Sequence, residues 1–192
     1  MSSTAGRNSR EDVIRAAGRL FAAKGYHGTS MRDLGGELGL FGSSIYSHVG
    51  SKQELLVEVV ATGAQLFQES ATRAERVDGA EERLAALVSG HLDVVLDSLD
   101  EVRTFLNEAS ALEPEYRGRI IAARDRYEES FRRVLQQGIE EGAFRAGVDP
   151  KLGAIFILSI LNAVERWFRP GGSLDRAALA DEIMTFVRNG TG

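Results

Sequence analysis

Residues 29–52 read TSMRDLGGELGLFGSSIYSHVGSK, and the fold assignment starts from them. Ser30 followed three residues later by Asp33 is a capping box, which opens a short helix through Leu38. Gly39 supplies the left-handed residue that ends it. A second short helix is predicted from about Gly42 to His48, so a glycine-containing turn of three to four residues joins the pair. Two short helices joined this way form a helix-turn-helix, whose second helix enters the major groove of duplex DNA. Ile45 is the residue of that second helix placed to pack inward. The small Gly42, Ser43 and Ser44 permit close approach to base edges or phosphates. Ser47 lies on the same short helix, and Tyr46 and His48 can donate to phosphate oxygens. Lys52 adds its charge to the exposed amides where the next helix begins. Thr29 and Ser30 offer hydroxyls, and Arg32 a charge, at the preceding helix. The expected DNA contacts are therefore Thr29, Ser30, Arg32, Ser43, Ser44, Tyr46, Ser47, His48 and Lys52.

Working outward, an earlier helix starts at Asn8 or Ser9, each with an acid three residues on. It carries Val13, Ile14, Ala17, Leu20 and Phe21 on one face, and Lys24-Gly25 ends it. Ser51 with Glu54 is a further capping box, opening a long helix with Leu55, Leu56, Val59, Leu66 and Phe67 as its apolar stripe. After a polar break near 77–79, helical periodicity recurs at about 81–98, 101–112, 116–141, 150–169 and 174–188. Asp149-Pro150 sets a cap and a first-turn proline, and Pro170-Gly171-Gly172 is a stop. Only three prolines and no sustained alternation of apolar and polar residues leave little room for a sheet. The fold is predicted as all-α: an N-terminal three-helix helix-turn-helix head, residues 1–52, and a larger helical body for ligand binding and dimerisation, residues 53–192.

A 192-residue chain that is 43% hydrophobic can bury a proper core. It has no cysteine, which removes disulfides and thiolate chemistry and fits a reducing compartment; the cytoplasm is expected. No apolar segment of signal-peptide form opens the chain. The apolar run from Leu152 to Val164 is too short to cross a bilayer, so no membrane partner is expected. The net charge is −5, but residues 1–53 hold seven Lys and Arg against four Asp and Glu, a balance of +3 that leaves −8 for the rest. A mildly basic head on an acidic body fits a nucleic-acid-binding module joined to another kind of domain. The three histidines are scattered without metal-ligand spacing, and adjacent acids such as Glu81-Glu82 splay around a helix. Gly35-Gly36-x-x-Gly39 follows no strand and is no nucleotide loop. No nucleophile elbow occurs. An enzyme is not expected, nor a metal or cofactor.

From Ala16 to Leu56 the chain reads AAGRLFAAKGYHGTSMRDLGGELGLFGSSIYSHVGSKQELL. With Phe21, Gly25, Tyr26, Thr29, Ser30, Asp33, Gly39, Tyr46, His48, Lys52 and Leu55 in place, this stretch resembles the head motif of the TetR/AcrR family of regulators. The resemblance implies a homodimer, a DNA-binding head from the first three helices and a body of about six helices with an inducer pocket. Four positions depart from the pattern. Gly35-Gly36 replaces an alanine-rich pair, which predicts a frayed second helix, since a mid-helix glycine costs about 0.5–1 kcal/mol. Phe41 and Gly42 stand where a small capping residue and a lysine are usual, so one phosphate contact is lost and more weight falls on Arg7 and Arg10. Val49 replaces a phenylalanine.

The segment from Asn162 to Gly172, NAVERWFRPGG, resembles the C-terminal signature of family members that respond to acyl-coenzyme A thioesters. Phe67, Leu96, Phe105 and Phe131, with Leu66, Leu99 and Leu106, are candidate pocket linings, and Arg103, Asn162 and Arg166 candidate polar anchors. The helix from Leu152 to Val164 is apolar on all sides and needs cover on all sides. Leu158, Leu161, Trp167, Phe168, Leu179, Ile183 and Phe186 are the expected dimer face. The expected function is a ligand-responsive repressor that binds a palindromic operator as a homodimer and is released by a small molecule, an acyl-CoA or another hydrophobic metabolite. Two alternatives stay open: a helical DNA-binding dimer without an inducer, and an enzyme or lipid carrier using the body cavity.

Overall fold

Capping chemistry sets the helix boundaries in the computed structural model, which describes residues 9–169 and 171–191; the described residues contain helices and turns but no strand. Arg7, Asn8 and Pro170 lie outside the described residues. Helix α1, Arg10–Lys24, begins at Ser9: its hydroxyl accepts from the Asp12 amide, while the Asp12 carboxylate accepts from the Ser9 amide at 2.8 Å. α2, Met31–Leu38, opens in the same way on Ser30 and Asp33. α3, Gly42–Ile45, follows after Gly39, whose φ of 66° is the left-handed turn expected there. Then come α4 (Lys52–Ala74), α5 (Ala80–Asp97), α6 (Leu99–Asn107), α7 (Pro114–Glu140), α8 (Pro150–Trp167) and α9 (Arg176–Thr191).

The chain divides into two compact units, Met1–Gly63 with Asp100–Ile120, and Ala64–Leu99 with Ile121–Gly192. Residues 100–120 therefore group with the head helices rather than with the remainder of 53–192. In the first unit, Phe21 of α1, Leu34 of α2, Ile45 of α3 and Leu55, Leu56, Val59 and Val60 of α4 are all buried. In the second, α5 packs against α8 and α9. Arg176 reaches Asp93 and Asp97, and Arg188 reaches Glu81 at 2.7 Å, so α9 runs antiparallel to α5. These exposed pairs add little stability; the buried Leu84, Val88, Leu92, Val95, Leu161, Leu179 and Ile183 hold the unit together.

Two expectations are corrected. α2 is continuous and capped at both ends rather than frayed, with Leu40 N–H donating to the Gly35 carbonyl at 2.8 Å. Gly35 is there for space: a Cβ on it would lie 2.6 Å from the Leu40 carbonyl oxygen and 3.0 Å from the Gly42 nitrogen, whereas one on Gly36 would meet nothing within 4 Å. Second, α3 is shorter than Gly42 to His48. It ends at Ile45, and the chain continues in turns in which Ser47 N–H bonds back to Ser44 O at 3.3 Å and His48 N–H to Ile45 O at 2.9 Å. Its N-cap, Phe41, has no side chain that can cap.

Gly36→Ala should raise stability by about 0.5–1 kcal/mol through helix propensity. Gly35→Ala should lower it, because the turn must move away. Urea unfolding of the two variants reads this as midpoints shifted in opposite directions; a common shift would contradict the packing described.

Candidate nucleic-acid interface and body core

The head presents α3 on a frame of satisfied polar groups. Thr29 is buried and its hydroxyl donates to the carbonyls of Leu20, at 3.2 Å, and Gly25, at 2.9 Å. Its side chain therefore braces the turn after α1 and does not face outward, which removes it from the expected DNA contacts. Ser30 is occupied in its capping box, leaving an exposed edge. Ser43, Tyr46 and Ser47 are exposed, Ser44 and His48 half-buried. The Ser47 hydroxyl donates to the Ser44 carbonyl at 2.7 Å, which holds the turn after α3.

Lys52 lies 4.2 Å above the Tyr26 ring, and the Tyr26 hydroxyl donates to Gln53 at 2.9 Å. Partial burial pulls the Lys52 ammonium below its ordinary range, with nearby Asp33 opposing the shift. The cations of α1 are engaged: Arg10 with Glu58 and Glu54, Arg15 with Asp12, Arg19 with Glu37 and Lys24 with Asp33. Arg10, expected in the basic arm, thus ties α1 to α4. Among the described residues of the head, Arg32 and Lys52 stand in no ion pair, and both flank α3 in sequence.

α6 is fastened to the same frame. The Glu108 carboxylate accepts from the Tyr26 amide at 3.1 Å, and the Thr104 hydroxyl donates to the carbonyl of Gly18 at 3.4 Å and of Asp100 at 2.9 Å. Gly63 of α4 leaves room for α6, since a Cβ there would sit 2.8 Å from the Phe105 Cβ. Nothing in the linear pattern marked Glu108 as part of the head, because it lies 82 residues from Tyr26.

In the second unit the core holds polar groups among aromatic rings. His91 is wholly buried, with Nδ1 3.1 Å from the Tyr127 hydroxyl. Phe67 lies 4.7 Å from the His91 ring and 5.2 Å from the Tyr127 ring, and Phe131 lies 5.5 Å from Tyr127. Burial pushes the His91 imidazole down to about 3 and the Tyr127 phenol up, so both are neutral. Asn162 faces His91 and opposes the shift, but His91 Nε2 reaches no partner in hydrogen-bond geometry.

One turn along from this cluster, Leu87 of α5 and Ser130 and Val134 of α7, with Glu75, Arg83, Arg133 and Gln137, line a cleft of about 370 Å³. Arg83 donates to Gln137 and Arg133 to Glu75, each at 2.7 Å. The expected pocket residues are only partly brought together. Phe67, Phe131 and Asn162 meet around His91 and Tyr127, whereas Arg103 and Phe105 belong to the other unit. Leu96 is half-buried; Arg166 is exposed and paired with Glu165. Sequence reading missed Tyr127, Arg83 and Arg133. His91 was not singled out either, although its spacing from Leu84, Leu87 and Val88 puts it on the buried face of α5, and nothing in the linear pattern named its partner.

Of the expected dimer residues, Leu161, Leu179 and Ile183 are buried inside the chain's own core, Leu158 and Phe168 are half-buried, and Trp167 and Phe186 are 52% and 67% exposed. Leu152 and Phe156 are exposed on α8 beside them. Among the described residues no group of three or more His, Cys, Asp and Glu could hold a metal, and no helix is long and apolar enough to cross a membrane.

Residues 13–59 match a family model described as bacterial regulatory proteins, tetR family, and residues 77–191 one described as a tetracyclin repressor-like C-terminal domain. The chain is 29% identical over 186 residues to the HTH-type transcriptional repressor KstR2 of Mycobacterium tuberculosis, covering 95% of this chain and 93% of that one. Among solved structures it resembles the TetR family transcriptional regulator PfmR of Thermus thermophilus, with a TM-score of 0.85, 34% identity and coverage of 92% and 97%. It also resembles AibR in complex with isovaleryl coenzyme A and operator DNA, with a TM-score of 0.87, 28% identity and coverage of 93% and 97%.

The neutral, buried His91 makes stability depend on pH in a defined direction. The unfolded chain takes up this proton as pH falls through about 6.5, the folded chain only near 3. The stabilisation is therefore complete above about pH 6.5 and declines below it, with a slope approaching about 1.4 kcal/mol per pH unit from this group. Urea unfolding between pH 7 and pH 4 should show His91→Gln losing that part of the acid limb. An unchanged slope would place the imidazole in solvent.

Proposed function

The chain belongs to the tetR family of bacterial regulatory proteins, which are transcriptional regulators and not enzymes, and from this premise we propose that it is a repressor. In this reading it binds a palindromic operator as a homodimer and releases it when an acyl-coenzyme A occupies the body. The observation that carries the reading is where large apolar side chains stand in solvent. Among the described residues, Phe41 and Tyr46 flank α3, Leu152, Phe156, Trp167 and Phe186 lie on α8 and α9, and Ile121 stands apart on α7. Two such faces call for two macromolecular partners, the groove of an operator and a second copy of the chain.

The ligand assignment rests on the chemistry of the second unit and on likeness. A cleft whose volume lies in the range of small-molecule sites is flanked by Arg83 and Arg133, which suit phosphate groups. The aromatic cluster around His91, a turn farther along the same faces of α5 and α7, suits an acyl group. AibR, similar over nearly the whole chain, is seen in complex with isovaleryl coenzyme A and operator DNA, which supports an acyl-coenzyme A site; release of the operator on binding is the part the shift experiment tests. Ligand binding acts by favouring one of two states of the protein. The candidate coupling elements are α4 and α6, since Glu108 of the α6 connection holds Tyr26, whose ring carries Lys52.

Electrophoretic shift of the DNA upstream of the chain's own gene, at fixed salt, should show binding by the wild type. Tyr46→Ala and Lys52→Ala should each weaken it by about tenfold or more. Isovaleryl-CoA should dissolve the shifted complex and free coenzyme A should not. Glu108→Ala should keep operator binding while blunting the response to isovaleryl-CoA. DNA binding without any acyl-CoA response would favour a helical DNA-binding dimer without inducer, and absence of any shift would refute the reading.

The same reading predicts that Phe156→Asp combined with Phe186→Asp converts the protein to a folded monomer. Sedimentation velocity at micromolar concentration, with circular dichroism to check helicity, measures this. A wild type that sediments as a monomer would exclude the homodimer.

A further inference from the structure

Phe41 is the most exposed large apolar side chain among the described residues, at 83%. It occupies the N-cap of α3 with an extended backbone, φ −69° and ψ 144°, and makes no capping hydrogen bond. Both facts run against stability. A Ser, Thr, Asp or Asn at this position would satisfy an orphan amide, and a phenylalanine left in water forgoes the gain of burial. The three residues that follow, Gly42, Ser43 and Ser44, are all small, so the Phe41 ring is the tallest group at the start of α3. Gly42 cannot shield it, and Tyr46 at the far end is the only other large apolar side chain exposed in this unit among the described residues.

The N-terminal residues of a recognition helix are those that meet base edges. An aromatic hydrocarbon there has no donor or acceptor with which to read them. What it can read is the one apolar feature of the major groove, the 5-methyl group of thymine. We infer that Phe41 is a specificity-determining residue, whose ring packs on a thymine methyl at one position of each operator half-site. The inference rests on the DNA-binding reading given above and adds to it which base is read and by what contact.

The test is in vitro selection from a random duplex library with the wild type and with Phe41→Ala, followed by binding to the enriched duplex with each thymine replaced in turn by deoxyuridine, which removes only the methyl group. The wild type should lose about threefold to tenfold in affinity at one position per half-site. Phe41→Ala should lose the preference for thymine there and bind the thymine and deoxyuridine duplexes equally. Phe41→Ser, which supplies the missing capping hydroxyl, should melt at the same or a higher temperature yet show the same loss of discrimination, separating base reading from a structural role. Equal deoxyuridine effects on wild type and variant, or none in the wild type, would overturn the inference. So would a change of oligomeric state in Phe41→Ala, since the ring would then be covered by a second copy. Wild-type protein that enriches no duplex would refute the DNA-binding reading itself, and this inference with it.

Discussion

Ile45 is the one buried side chain of α3, and the helix that carries it is four residues long. Isolated helices shorter than about twelve residues are marginal in water, so α3 owes its position to what Ile45 packs into and to what lies beneath it. The turn from Gly39 to Gly42 comes so close to α2 that only a residue without a side chain fits at Gly35. Thr29 ties the loop before α2 to the end of α1. The candidate DNA face at α3, with Ser43, Ser44, Tyr46 and Phe41, is thus the outer side of a tightly packed inner one. Loss of the inner packing removes the outer chemistry, whatever the outer residues are.

The two units manage polar groups differently. The head keeps Asp12, Asp33 and Glu37 and most of its cations in exposed pairs around α1, which contribute little to stability but leave Arg32 and Lys52 outside any ion pair next to α3. A site for an anionic polymer needs such an imbalance, and a chain with a net charge of −5 can still provide it locally. The second unit instead buries a neutral polar pair, His91 and Tyr127, among aromatic rings. Burying charge there would be far more costly than burying neutral groups that bond each other. The result is an interior that is apolar in the main yet carries a hydrogen-bonding point.

Within the head, the frame beneath the expected DNA contacts runs through residues that no local pattern marks. Tyr26 gives its amide to Glu108, its hydroxyl to Gln53 and its ring face to Lys52. These three partners come from the α6 connection and the start of α4. A displacement of α6 would bear on Gly18 and Gly63 directly and, through Glu108, on Tyr26, beneath the lysine expected to hold a phosphate.

Helix identity and the ends of α1 and α2 were readable from Ser9, Ser30 and Gly39, because capping and the left-handed glycine act within one turn of chain. So was the inward placement of Ile45 against the exposed Ser43 and Tyr46, since that spacing is itself a local geometry. Which side chains of α8 and α9 remain outside was not. Leu161, Leu179 and Ile183 look like surface anchors in the linear pattern, and the packing of α5 against both helices buries them. The same holds for the inward turn of the Thr29 hydroxyl, for the closeness that requires Gly35, and for the partners of His91 and Tyr26. By itself the sequence determined the helices, their caps and the family; the tertiary structure alone decided which polar and apolar groups are used up inside the protomer. Capping and periodicity are interactions between neighbours in the chain, whereas burial depends on elements tens of residues away that the local pattern does not specify.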